Sequence, residues 1–349
     1  MTKNTEATNN QSDNQLLSNA LGSATAGIVS RILTHPLDTA KARLQAPINI
    51  TPPYNGVRDV LWRTYNHQGI TGLYRGFGAI VVGGTPGTMT YFCTYEWVKT
   101  KLTTISSPIS AASSKAQIPE FLVYLSAGMI AETVACIIYV PVDVIKERLQ
   151  VQMGKNNNHA KSIGHSREHY QYNGSLDALK NILRTEGLTG IYKGYGATLA
   201  SFGPFSAFYF LFYEQLKQWC SNSSISFNQT NNFNSNEGKD MQMKAPSHVE
   251  LPFPFVLFCS ATAGAAASWI TSPLDMAKLR LQIQRSPSSS SQPTHQYKGM
   301  IGCLSEIYKQ GGFRGLFRGA GARVLHFTPS TMITMTCFET CRSFFSSHI

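Results

Sequence analysis

Three stretches of the chain repeat one arrangement of ionisable and hydrogen-bonding groups. They read PLDTAKARLQ from Pro36, PVDVIKERLQ from Pro141 and PLDMAKLRLQ from Pro273. In each, Asp follows the proline by two residues, Lys by five, Arg by seven and Gln by nine. The chemistry open to an Asp and a Lys is ion pairing, and at a spacing of three they share one helix face. One arrangement is three local pairs worth a few tenths of a kcal/mol each. The other is a ring in which each Asp takes the Lys of the next repeat: Asp38 with Lys146, Asp143 with Lys278, and Asp275 with Lys41. Charges inside a membrane are costly, and all six of these recur at the ends of apolar helices. A closed ring satisfies all six and seals one end, so the ring is favoured. Gln45, Gln150 and Gln282 lie one turn beyond each Lys, where they could brace the ring by hydrogen bonds.

A second charge pattern repeats the logic further along: Tyr95-Glu96-x-x-Lys99, Tyr213-Glu214-x-x-Lys217 and Phe338-Glu339-x-x-Arg342. The predicted ring pairs Glu96 with Lys217, Glu214 with Arg342, and Glu339 with Lys99, with Tyr95, Tyr213 and Phe338 covering it. Two rings at opposite ends of one cavity make a pair of gates, of which only one need be shut. Exposed ion pairs contribute about 0–1 kcal/mol each. A few kcal/mol of substrate binding energy could therefore disrupt a ring, provided the substrate binds the transition conformation better than either closed state.

The elements that must hold these charges follow from the spacing. Tyr54-Asn55-Gly56, Tyr172-Asn173-Gly174 and Tyr297-Lys298-Gly299 form a further trio, and Tyr74-Arg75-Gly76, Tyr192-Lys193-Gly194 and Phe317-Arg318-Gly319 another. The interval between these two trios is 20 residues in every repeat, and from the second of them to the aromatic-Glu motif it is 21. Only the polar stretch before the Tyr-x-Gly varies in length, as loops do. Each repeat reads as a membrane helix carrying the proline motif, a loop, a short amphipathic helix beginning near Gly56, Gly174 or Gly299, and a second membrane helix. The expected fold is an all-α membrane protein. It has six transmembrane helices as three tandem two-helix repeats with pseudo-threefold symmetry, and both termini lie on one side. Proline within a helix removes a hydrogen bond and kinks it, which can bring three helix ends together. The boundaries read as a polar tail over 1–17, repeats over 18–104, 119–221 and 250–349, and linkers over 105–118 and 222–249, the latter rich in Asn and Ser.

Composition agrees with a membrane setting. Of 349 residues only 14% are charged, against roughly 25% in a soluble domain. Residues 76–95, 195–213 and 251–270 carry no charge, and 121–141 carries one, Glu132. Each is about the length that crosses a bilayer as a helix. The mean hydropathy of −0.13 is lowered by polar linkers and by Gly, Ser, Thr and Tyr within the helices, as expected where one face meets water. The net charge of +11 comes from basic residues beside apolar stretches, which points to lipid headgroups and not to nucleic acid. Seven cysteines without CxxC or His/Cys metal spacing read as buried free thiols, with no metal site. Residues 1–15 have neither a secretory core nor an Arg-rich amphipathic pattern, so an organelle address must be internal. Metalloprotease, P-loop, GxSxG and dinucleotide signatures are missing, and the chain is not expected to be an enzyme.

These motifs resemble the mitochondrial carrier (solute carrier) family, over about residues 18–346. Its signature is Pro-x-Asp/Glu-x-x-Lys/Arg followed by Asp/Glu-Gly-x-x-x-x-aromatic-Lys/Arg-Gly. The second half is complete only in the middle repeat, from Glu186-Gly187 to Gly194; Gln68 and Gly311 replace the acid in the other two. The departure bears on matrix-side bonding there, not on the fold. The resemblance implies a monomer of the mitochondrial inner membrane, with the short helices on the matrix side and both termini facing the intermembrane space. It makes the proline-motif ring the matrix gate and the aromatic-Glu ring the cytoplasmic gate. It also implies cardiolipin, as bound lipid and not as cofactor, at Gly56, Gly76, Gly174, Gly194, Gly299 and Gly319, where free N–H groups at helix starts suit a phosphate.

In the family the central site is read seven and eight residues after the Lys/Arg-Gly glycine. Here that gives Gly83 and Gly84, Ser201 and Phe202, and His326 and Phe327. The usual carboxylate clamp is lacking at Ser201-Phe202, and the pattern is not that of nucleotide carriers. Arg31, His35, Glu132, Tyr139 and Arg323 are further cavity candidates. Glu132 is the strongest as the sole charge in its span, whereas His35 before a kink proline suits a structural role. Residues 131–141 and 204–210 look like S-adenosylmethionine carriers, THPLDTAKARLQ like carnitine/acylcarnitine carriers, and 322–331 is similar to mitoferrins. Arg31 has the wrong sign for a site tuned to cations alone. A zwitterionic or cofactor-like metabolite is the first expectation, a divalent metal ion (iron or magnesium) the second, and a repurposed receptor or scaffold the rival outside transport.

Overall fold

The computed structural model describes residues 2–47, 50–112, 120–152, 171–231, 252–285 and 297–348. Among them are ten helices and no strand: α1 (Thr2–Gln45), α2 (Val57–Leu73), α3 (Phe77–Ala112), α4 (Glu120–Gln150), α5 (Ser175–Ile191), α6 (Tyr195–Asn231), α7 (Phe253–Ile270), α8 (Ser272–Ile283), α9 (Met300–Leu316) and α10 (Ala320–His348). Pro36 and Pro141 lie inside α1 and α4, whereas Pro273 opens α8 directly after α7. A proline N–H is missing wherever it sits, and only in the first turn is that N–H free anyway. On length and hydropathy alone, 123–150 and 253–270 are fit to cross a membrane. The other long helices carry more polar residues, as the Gly, Ser, Thr and Tyr content of the sequence leads one to expect.

The three short helices, α2, α5 and α9, are 17 residues each. Each contains a left-handed glycine near its end, Gly69 (φ 67°), Gly187 (φ 67°) and Gly312 (φ 58°), a conformation that favours glycine because it has no Cβ. Asp59 and Asp177 sit in the first turns of α2 and α5 and accept the backbone N–H of Asn55 and Asn173 at 3.0 and 2.9 Å. That bond, ahead of the Arg63 contact, holds the Asp59 carboxyl below its ordinary range.

The described residues form two compact units. One comprises 31–204 and 271–326; the other comprises the start of α1 to Ser30, 205–270 and 327–349. The first unit holds most of the apolar core. Its largest cluster brings Ala79 of α3, Cys136, Val140, Val144 and Leu149 of α4, and Ala178 and Ile182 of α5 together. Small residues set the distances: a Cβ at Gly83 would meet Val142, and one at Gly87 would meet the Tyr139 ring, so α3 and α4 touch through glycines. In the second unit, Phe327 occupies the space left by Gly264 and stands edge-on to Phe205 at 5.3 Å. There too Tyr209 hydrogen-bonds Ser260 at 2.8 Å and Cys220 packs on Cys259.

Candidate functional site

The prolines at 36, 141 and 273 aim the acid two residues on and the lysine five on along one face. In the first unit the structure brings all six ring charges together. Lys146 Nζ lies 2.8 Å from Asp38, Lys278 Nζ 2.8 Å from Asp143, and Lys41 Nζ 2.7 Å from Asp275. Each pair joins two repeats, and the three close into a cycle. The side chains are 8–27% exposed. At that burial, removing one partner costs far more than a surface pair is worth, about 3–5 kcal/mol.

Further groups join this cycle. Glu147 reaches Lys146 at 3.3 Å. Arg323, assigned from sequence to the central cavity, donates to Thr271 Oγ1 at 3.0 Å and stands 3.5 Å from Asp275. His326, also assigned to substrate, has Nε2 3.8 Å from Asp38. Both are thus ring neighbours. Glutamine bracing is realised at Gln150, whose amide donates to Asp38 at 3.0 Å. It is not realised at Gln282, which donates to Thr198 at 3.5 Å, nor at Gln45, which is wholly buried and has no side-chain hydrogen bond. At Gln282 the hydroxyl of Thr198, four residues beyond Gly194, takes the amide instead.

The recurring arginines two residues after each lysine were part of the motif but had no assigned role. They are buried: Arg43 and Arg148 are each 1% exposed and Arg280 7%. Arg148 grips Glu186 with two parallel bonds (2.5 and 3.1 Å), and Lys193 joins the same carboxylate at 2.6 Å. Burial pushes the Glu186 carboxyl up, but the Arg148 bond and charge and those of Lys193 outweigh it, so it is held below its ordinary range. Arg43 instead meets the neutral Gln68 at 2.9 Å and Thr64 at 2.8 Å. Each arginine also donates to a carbonyl of the next repeat: Gln150, Gln282 and Gln45 respectively. The signal that could have found them was their strict recurrence seven residues after each proline.

Among the central candidates, Gly84 leaves the room that the Arg31 guanidinium occupies, and Arg31 donates to Ile80 O at 3.1 Å. Gly83 lies against Val142. Ser201 is buried and turns its hydroxyl to Thr198 O at 3.0 Å; Phe202 is half-buried. Glu132 is half-buried and, among the described residues, accepts only the Cys136 thiol, at 3.6 Å. Tyr139 bonds Thr88 at 2.9 Å. His35 packs between Tyr74 and Phe77 and bonds Arg75 O at 3.3 Å. Phe327 packs in the second unit.

Of the aromatic-Glu charges, Glu96 and Lys99 fall in the first unit, and Glu214, Lys217 and Glu339 in the second. All three glutamates are exposed. Lys99 lies over the rings of Tyr95 and Tyr124 at 5.8 and 5.6 Å, and Tyr213 stacks on Tyr209. The Arg342 side chain, and with it the Glu214 pair, lies outside the described residues.

The six turn glycines each precede a helix. Gly56, Gly76, Gly194, Gly299 and Gly319 are left-handed, with φ from 81° to 139°, while Gly174 is extended. No side chain caps α2, α5 or α9, so their first N–H groups point outward unclaimed by a cap.

Comparison with known proteins places the chain in a family. The family model for mitochondrial carrier protein matches residues 12–106, 118–224 and 249–349. A mitochondrial substrate carrier family protein E from Dictyostelium discoideum is 31% identical over 94% of this chain and 96% of its own length. The mitochondrial S-adenosylmethionine carrier protein of Xenopus tropicalis is 27% identical over 93% and 94%, and human mitoferrin-2 is 27% identical over 90% and 74%. With three copies of the repeat matched across most of its length, the chain belongs to the mitochondrial carrier family.

Proposed function

We propose that the chain moves a small zwitterionic or cofactor-like metabolite, of the S-adenosylmethionine type, across the mitochondrial inner membrane at a single central site that opens to one side at a time. The observation that carries the reading is the closed cycle of three ion pairs between repeats, beside aromatic-Glu carboxylates that are all exposed. All six charges of the first set are paired, as a carrier shut toward the matrix requires. A substrate that favours the transition conformation would break the first set and allow the second to form.

Two charges support the substrate class. Among the described residues Glu132 bonds only a thiol and Arg31 only a backbone carbonyl. Neither is matched there by a side chain of opposite sign, so an ammonium or sulfonium and a carboxylate could both be met. Tyr91, Tyr139 and Phe202 supply flat surfaces for a ring or an organic cation. Relatives named as S-adenosylmethionine carriers fit that chemistry. A divalent metal ion is the second reading, carried by the likeness of 322–331 to mitoferrins and by mitoferrin-2 among the relatives. Cardiolipin phosphates would sit on the open N–H groups after the six turn glycines, and both termini would face the intermembrane space. The protein would act as a monomer.

Uptake into proteoliposomes, run with a metabolite panel that includes S-adenosylmethionine, amino acids and divalent metals, tests the proposal. Saturable uptake of a zwitterion, lost in Glu132→Gln and in Arg31→Ala, is expected. Selective iron or magnesium uptake would overturn the substrate class.

A further inference from the structure

In repeat two, a pair of cations shares one carboxylate: Arg148 and Lys193 both bond Glu186. The corresponding positions in repeat three are Arg280, Arg318 and Gly311. The correspondence is fixed by the backbone, since Gly187 and Gly312 each take a left-handed turn directly after the position in question. Repeat three therefore keeps both cations and lacks the anion.

Arg280 is 7% exposed and its Nε donates to Gln45 O at 3.3 Å. Its two terminal nitrogens make no hydrogen bond or ion pair with a described residue. The half-buried Arg318 side chain likewise has neither. Burial, then the charge of Arg280, hold the Arg318 guanidinium below its usual range. A Cβ at Gly311 would meet no atom within 4 Å, so the space is open. The lone carboxylate of α9, Glu306, accepts from Gln310 at 2.8 Å. Cys303 is no counterion, because burial pushes its thiol up to about 12 despite nearby Arg280. A buried guanidinium with no counter-charge among the described residues is costly, and two arginines at the positions whose counterparts share one carboxylate in repeat two suit a tetrahedral oxyanion.

We propose that repeat three binds a phosphate-type oxyanion between Arg280 and Arg318, in the place that the Glu186 carboxylate takes in repeat two. The bound anion would lock α8 and α9 to the end of α1, because Arg280 also holds the Gln45 carbonyl. This site differs from the helix-start glycines, which offer backbone N–H groups and not guanidinium. It does not rest on the identity of the transported substrate. The oxyanion could come from free phosphate or from a phospholipid headgroup.

The test is thermal unfolding of the full-length protein, purified in lipid-free detergent. Inorganic phosphate is titrated against chloride at matched ionic strength, and dioleoyl phosphatidic acid is added to the micelles in a second arm. The variant Gly311→Glu builds the missing carboxylate into a position that accepts a side chain. Wild type should show a saturable rise in Tm with phosphate or with phosphatidic acid. Gly311→Glu should start from a higher Tm and lose the response, and Arg280→Ala should show none. A response to phosphate assigns a free anion, and one confined to phosphatidic acid assigns a lipid. The proposal fails if neither probe raises Tm beyond chloride, or if Gly311→Glu responds as fully as wild type. Should Arg280→Ala not fold, Gly311→Glu alone decides.

Discussion

Exchanging the charges of Asp38 and Lys146 probes the ring most directly. The two groups stand 2.8 Å apart with side chains 8% and 13% exposed. At an effective dielectric of about 20 the attraction is about 6 kcal/mol before desolvation. Breaking a buried pair costs about 3–5 kcal/mol, which is roughly 10²–10⁴-fold in the population of the closed state. Asp38→Lys or Lys146→Asp alone should lose at least that, because each sets like charges face to face. The double exchange restores the attraction, and the surroundings set how completely. Gln150 now donates to Asp38, but its Oε1 is buried without a partner and can turn to accept from an ammonium. Glu147, 3.3 Å from Lys146, would face a carboxylate and hold the rescue short of complete, by about 1–2 kcal/mol. A double-mutant cycle on Tm, with proteoliposome uptake as the second readout, should give a coupling of at least about 2 kcal/mol. A coupling within about 0.5 kcal/mol of zero, with the double no better than the singles, would refute the ring.

Other outcomes follow from single contacts. Glu186→Gln should destabilise the protein by about 3–5 kcal/mol, since it leaves Arg148 and Lys193 without their carboxylate. The Glu186 carboxyl is held below its ordinary 4.5, so its contribution is full above that pH and is lost as pH falls through the folded value; the variant should show a flatter acid limb in a pH series of Tm. Gly83→Ala should cost about 1–3 kcal/mol, because the new methyl meets the branched Val142. Gly84→Ala should cost less in Tm, because the flexible Arg31 head can move aside, yet change uptake if Arg31 serves the substrate. Equal effects in the two would contradict the packing. Glu132→Gln should leave Tm within a degree or two of wild type and still remove uptake.

The helices and the ring positions were legible because their signals are periodic. Equal spacings of the turn motifs mark α2, α5 and α9, and a charge two or five residues after a proline takes its place from helix geometry alone. What sequence could not supply was side-chain direction between helices. His326 was read by counting from Gly319 toward a central site, and Arg323 as a further cavity residue on the same helix. A count along one helix gives depth but not bearing, and both side chains turn to the ring carboxylates of other helices. Gln45 shows the same gap. It matches Gln150 in the motif, yet its amide makes no hydrogen bond while that of Gln150 donates to Asp38. The substitution of Gly311 for an acid was visible at once; that it strands two arginines needed the fold.

The arginine clasps of the three repeats are unequal: a doubly bonded carboxylate at Arg148, a neutral amide at Arg43 and, among the described residues, only a backbone carbonyl at Arg280. A chain with threefold form is thus not obliged to have threefold mechanics. Strain applied to all three sectors alike would part the weakest seam first. Hydrogen exchange should show α9 opening before α2, and α2 before α5, an order of parting that the near-symmetric sequence conceals.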